Sequence, residues 1–262
     1  MDIVVYDGSF EGLLTAIFEI YEYKMHDVKI YKEDEASPAL FGKIHIATTE
    51  KLKSERVYNK LKERLTPVAL SRFYKTYLSE LPFIENCLLR YVQYILASKL
   101  PAENNYSQPD ILMLHQTSRK VDREKHRMEA FVRFQLTKDE LYYSIIQPDY
   151  NVLPLISKHF KERYADQRWL IYDARRKYGL YYDLKNVSGV EINFDIDKND
   201  KSGLATIHDE KEELYQQLWQ QYFSSVNITA RKNMKLHIQH MPKRYWCHLV
   251  EKIPGQRLSG DP

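Results

Sequence analysis

Apolar and polar positions change their period several times along the chain, and the changes mark out its elements. Residues 2–6, Asp-Ile-Val-Val-Tyr, form a short apolar run that predicts a β-strand, and Asp7-Gly8-Ser9 is a turn signal. Ser9 is placed to N-cap a helix whose stripe is Phe10, Leu13, Leu14, Ile17, Phe18 and Tyr21, one face of a 3.6-residue period. A second strand is expected within His26 to Tyr31 on Val28 and Ile30, then helices over 50–64, 68–80 and 82–99. Pro82 suits the first turn of the last of these, whose face is Ile84, Leu88, Tyr91, Val92 and Ile95. Residues 101–109, rich in Pro, Asn and Ser, read as a linker, and a polar helix follows over 110–128.

The texture then shifts towards a period of two. Phe131 to Leu136 and Leu141 to Ile146 predict strands joined by Thr-Lys-Asp-Glu, with a helix over 152–162 beyond Pro148-Asp149. Arg168 to Tyr172, Gly179 to Asp183 and Val190 to Phe194 predict further strands. Asp209, with Glu212 three residues later, opens a helix to about 223, and short basic helices close the chain. No internal repeat is visible. The expected class is α+β, a mainly helical N-terminal half packed against a C-terminal half with an antiparallel sheet. The expected division is 1–105, 106–253 and a disordered tail, 254–262. Close packing of both halves into one unit is the competing expectation.

Composition narrows the class. A chain of 262 residues with 44% hydrophobic and 29% charged residues is long enough for a large core without disulfides. No run reaches the length of a membrane span, and the first residues lack the basic and apolar regions of a secretory signal. Cys87 and Cys247 are the only cysteines, too few for a disulfide framework or for a cysteine-held zinc or iron–sulfur site. A cytoplasmic protein with no cofactor and no membrane contact is expected.

Charge and tyrosine change the picture further. The net charge of +3 says little, but residues 225–252 hold six Lys or Arg against one acid, and residues 158–177 hold seven against three. Residues 191–213 hold eight acids against three lysines, so the chain can present a basic and an acidic face. The 21 tyrosines outnumber ten phenylalanines and three tryptophans. Tyrosines among cations suit nucleic acid, because bases stack on rings while cations hold phosphates. They equally suit a tyrosine-rich core and rim.

No catalytic motif is legible from chemistry alone. The turn Gly8-Ser9 at a helix N-terminus can hold an anion, but neither a dinucleotide nor a P-loop motif is present. Arg133, read on a strand, can bind a phosphate or lie under a base, as can Arg127 just before it; the plainer reading is a sheet-edge arginine. His159, Arg163, Asp173 and Arg176 bracket a helix-to-strand passage. His159 and Asp173 form a possible acid–base pair, and a structural Asp–Arg contact is the competing reading. His237, His240 and His248 lie among cations that repel a divalent ion, so no metal is expected. The stretch containing Arg231, Lys232, Lys243, Arg244, Tyr245 and Trp246 combines phosphate-binding cations with rings that either stack on bases or brace those cations.

Several segments together resemble a known family. They are Tyr6 to Leu14, His126-Arg127-Met128, Phe131 to Phe134, Pro148-Asp149-Tyr150, Leu153-Pro154-Leu155, His159-Phe160, Arg163-Tyr164, Trp169 to Asp173, Asn227-Ile228, Arg231-Lys232-Asn233 and Met241 to Trp246. The chain is similar over about 2–252 to a bacterial family of unknown function labelled a probable DNA metabolism protein. The resemblance implies a partner, a radical-SAM protein labelled a putative DNA modification or repair enzyme. It also implies kinship with a domain found joined to uracil-DNA glycosylase-like domains. It carries no catalytic residues. The leading expectation is an accessory DNA-binding protein in repair or modification. A DNA-acting hydrolase using Asp7, His159 and Asp173 is the alternative, and a protein-interaction module without DNA contact is the third.

Overall fold

The computed structural model describes residues 2–35, 43–98, 101–191, 238, 240–249 and 252. The chain divides into two compact units, Met1–Asp122 and Arg123–Pro262, and the stretch 101–109 lies inside the first. Helices concentrate in the N-terminal half and the larger sheet in the C-terminal half, so the α+β class is observed. The expected helix over 209–223 and the tail 254–262 lie outside the described residues.

The first unit is built on β1 (Asp2–Tyr6), α1 (Phe10–Glu22), β2 (Val28–Lys32), β3 (Lys43–Ile46), α2 (Lys51–Arg64), α3 (Pro67–Tyr77) and α4 (Ile84–Ala97). Its strands pair in the order β2-β1-β3, both pairs parallel. The unbroken apolar run Ile3 to Tyr6 fits this central place, because a central parallel strand is buried on both faces. Strand β3 has no counterpart in the sequence reading. It is only four residues long, and Ile44 and Ile46 are exposed, so it lacks the strong apolar signature of a buried strand. The helix expected to start at Pro82 begins two residues later, after Phe83 adopts a left-handed φ of 60°.

The core of this unit is formed by Leu13 and Ile17 of α1, Phe73 of α3 and Leu88 and Val92 of α4. Phe10 joins it through Phe73, Tyr74 and Tyr77, with ring centres 4.9–6.1 Å apart. A polar pair is buried beside it. The Tyr6 hydroxyl donates to Glu85 at 3.0 Å, with the Lys32 ammonium 3.9 Å from the same carboxylate oxygen. Burial pushes both the Tyr6 hydroxyl and the Glu85 carboxyl up.

Helix α5 (Pro109–Phe131) crosses from the first unit into the second. Among its buried positions, Ile111, Leu114, Ser118, Val121, Glu124 and Met128 recur every three or four residues, with the carboxylate Glu124 in the stripe. The helix runs on through residues expected to begin a strand. Phe131 is its last residue, Val132 to Phe134 are irregular, and only Gln135–Leu136 form a strand, β4. The Arg133 guanidinium donates to the Ala130 and Val132 carbonyls, supplying a cation where the helix leaves carbonyls unpaired.

The second unit continues with β5 (Tyr142–Ile146), α6 (Leu153–Arg163), β6 (Trp169–Asp173), β7 (Tyr178–Tyr182) and β8 (Val187–Glu191), in sheet order β4-β5-β6-β7-β8. The sheet is mixed, which corrects the antiparallel expectation. β5 and β6 are parallel, whereas β4–β5, β6–β7 and β7–β8 are antiparallel. The cause is α6, since a helical crossover returns the chain in the same direction. Trp169, Ile171, Ile156 and Phe160 are buried, and Phe134 meets Phe160 edge-on at 5.8 Å.

Among the described residues no helix is long and apolar enough to cross a membrane. Phe73 has no exposed surface, so Phe73→Ala is expected to lower stability by about 3–5 kcal/mol. A urea-unfolding midpoint that does not move would show that the first unit repacks around the loss.

Candidate nucleic-acid interface

The second unit assembles a polar cluster around Glu124, whose side chain is 1% exposed. Its Oε1 accepts the Tyr245 hydroxyl at 2.5 Å and the Asp149 backbone N–H at 2.8 Å. Its Oε2 lies 3.5 Å from a guanidinium nitrogen of both Arg127 and Arg244. The three elements involved are α5, the loop after β5 and a short 3-10 helix, Lys243–His248. A buried carboxylate needs such donors, because burial without them costs several kcal/mol.

Arg244 is the exposed member. Its Nη2 lies 2.6 Å from Asp149 Oδ2 and donates to the Tyr245 hydroxyl at 2.6 Å, while its side chain is 44% exposed. The Nε and Nη1 edge has no hydrogen bond among the described residues. Tyr245 is 2% exposed, packs at 5.8 Å on Phe131 and lies 4.6 Å beneath the Arg244 guanidinium. Burial and then Glu124 push the Tyr245 hydroxyl up, so it stays protonated as a donor. Its ring offers no face to a base, and the geometry gives it the bracing role. Trp246 is partly exposed, its indole N–H donates to Met241 O at 3.0 Å, and Lys252 lies 5.1 Å from its ring. Lys243 is exposed next to Arg244.

The loop that carries Asp149 is held from another side. Asp173 is fully buried and accepts from the backbone of Arg175 and Arg176 and, at 2.8 Å, from the Arg176 guanidinium. Arg176, 9% exposed, donates onward to the Pro148 and Asp149 carbonyls, and Arg175 reaches the same Asp149 carbonyl. Both arginines therefore build the loop. Asp173 is the structural Asp–Arg contact of the sequence reading. His159 is half-buried against Phe160, and no hydrogen bond joins it to Asp173 among the described residues. Arg163 is exposed above the Tyr164 ring, Arg133 caps α5, and Arg231 and Lys232 lie outside the described residues.

Asp7 belongs to the first unit and serves its own turn. Its Oδ1 accepts from the Ser9 backbone and hydroxyl, and its Oδ2 from Thr49. Gly8 provides the turn with a φ of 82°, and a Cβ on Gly12 would strike the Asp7 carboxylate and stand 2.7 Å from Thr49 Oγ1. The expected anion at Gly8 and Ser9 meets an unfavourable field. Asp7 takes the Ser9 donors, and the adjoining cavity is lined by Asp7, Glu33 and Asp34 with Lys32 as its single cation. Of the histidines, His240 is exposed, His248 is held below its ordinary value by burial, and His237 lies outside the described residues.

Glu124 was the residue that sequence reasoning missed. The signal was present, an acid at a buried position of the stripe Val121, Glu124, Met128. Residues 82–251, which include every member of this cluster, match the model of a family described as a domain of unknown function, DUF4130. No curated protein matches the chain.

Tyr245→Phe removes the hydroxyl that links Arg244 to Glu124. A loss of about 1.5–3 kcal/mol is expected in chemical denaturation, the worth of a buried hydrogen bond to a charged group. For Asp7, burial raises the carboxyl pKa, but the Ser9 and Thr49 hydroxyls and the Ser9 amide outweigh it and hold it below the usual carboxylate value. Its stabilisation is complete above the unfolded value of about 3.9 and fades as pH falls through the lowered folded one. Thr49→Val is expected to move the Asp7 titration, followed by carboxyl NMR, back towards that ordinary value.

Proposed function

The chain belongs to the DUF4130 family, and on that premise we propose that it is an accessory nucleic-acid-binding protein of DNA repair or modification. The observation that carries this reading is Arg244. A guanidinium fixed by Asp149 and Tyr245 over a buried carboxylate keeps one donor edge turned outward, with Lys243 beside it. A planar fork held in place loses little conformational freedom on meeting a phosphate. Arg127, on the last turns of α5, adds a second guanidinium to the same cluster.

Phosphates position a nucleic acid without reading its sequence, so such a surface suits a protein that holds a strand for another catalyst. The resemblance of the opening turn and of the Met241 to Trp246 segment to a probable DNA metabolism family supplies the process, and a radical-SAM repair protein as the catalyst served. The acid–base candidates favour this assignment over a hydrolase. Asp173 is committed to Arg176, Asp7 to its own turn, and His159 to neither.

The test is binding of the purified protein to single-stranded and duplex DNA across a salt series. The logarithm of affinity is expected to fall steeply with the logarithm of salt. Lys243→Ala, at an exposed position that bears on no core contact, should make the slope shallower by about one. Binding that is absent at low salt, or indifferent to salt, would overturn the proposal and turn attention to co-purification with a protein partner.

A further inference from the structure

A cavity of about 670 Å3 lies in the first unit along the outer edge of β2 and α4. Its size is that of a small-ligand site. Phe83 at its wall is 63% exposed, although a phenylalanine gains most by burial. Its ring meets Tyr31 edge-on, with centres 6.2 Å apart at 87°. Open aromatic surface is thus held at a fixed angle on the rim.

Cations stand in the same wall. Arg90 docks its Nε and Nη2 on Asp110 at 2.7–3.1 Å, which fixes the guanidinium plane, and its Nη1 has no hydrogen bond among the described residues. Lys29 is exposed and has no ion pair among the described residues, and Asp27 is the one carboxylate of the lining. The floor is rigid. The Asn86 side-chain amide accepts from Ile30 N–H at 2.9 Å and donates to Ile30 C=O at 3.4 Å, closing the open edge of β2 as another strand would.

We propose that this cavity binds a nucleotide unit, its base on Phe83 and Tyr31 and its phosphate on Lys29 and the Nη1 edge of Arg90. A neutral aromatic ligand would leave the cations unused, and a simple anion would leave the rings exposed. The nucleotide can be free or one unit of a single strand. The site shares no residue with the Arg244 cluster, so either can fail alone.

The experiment is calorimetric titration of the full chain with thymidine monophosphate, thymidine, inorganic phosphate and a short oligothymidylate. Thymidine monophosphate is expected to bind more tightly than thymidine or phosphate. Phe83→Gly should weaken it by at least about tenfold, without lowering the thermal midpoint, because glycine accepts the left-handed backbone at this position. Lys29→Ala should weaken the monophosphate and leave thymidine unchanged. Binding of the oligothymidylate alone, lost in Phe83→Gly, would place the nucleotide in a strand. No binding of either nucleotide form, or binding that survives both substitutions, would overturn the proposal. Oligothymidylate binding that is lost in Lys243→Ala but kept in Phe83→Gly would overturn it too, and would leave the Arg244 reading standing.

Discussion

A carboxylate with almost no contact with water has to be surrounded by donors, and in the second unit that demand organises the surface. Glu124 draws its donors from elements far apart in the chain, the Asp149 amide and the Tyr245 hydroxyl, with two guanidinium groups behind them. The 3-10 helix is thereby fastened to α5, and the loop after β5 is fixed between them. Arg244 inherits its orientation from this arrangement, because Asp149 and Tyr245 grip one nitrogen and leave the rest of the fork outward. Asp173 does the same from the far side of the loop, through Arg175 and Arg176.

Each unit holds buried polar groups of both kinds, some closed on themselves and some ending in an exposed cation. In the first, Tyr6 at the end of the central strand donates to buried Glu85 and Asp7 is occupied within its own turn, while buried Asp110 holds an Arg90 whose side chain is 56% exposed. In the second, the network ends in a cation that reaches solvent. Residues of similar appearance, Asp7 and Asp149, or Arg176 and Arg244, accordingly take different parts. The decisive quantity is how many of a side chain's hydrogen-bonding sites the protein itself consumes.

Tyrosine abundance illustrates the same point. Tyr6, Tyr91, Tyr182 and Tyr245 are buried, and Tyr74 and Tyr77 pack with Phe10 at the margin of the first core. These rings serve the interior, whereas Tyr21, Tyr23, Tyr58 and Tyr106 are exposed. The most exposed of the phenylalanine, tyrosine and tryptophan rings among the described residues is Phe83, at 63%, which no compositional argument singles out.

Much of the secondary structure was legible in local pattern. The run Ile3 to Tyr6, the capped stripe of α1 from Ser9, the face of α4 and the strands flanking α6 follow from period and from turn chemistry, which are properties of neighbouring residues. The basic character of 225–252 was equally plain. Pattern misjudged Phe131 to Phe134, where an alternation of apolar and polar residues follows a helix that Lys125–Glu129 pairing helps to carry on to Phe131. It offered Arg176, Tyr245 and Arg244 each as a candidate nucleic-acid contact, with a structural Asp–Arg contact left open for Arg176 and a bracing role for Tyr245. Only the tertiary structure separated them. Glu124 lies 121 positions from Tyr245 in the chain, and burial of its charge and of that of Asp173, which no local period encodes, decides which cations are spent inside and which is held facing out.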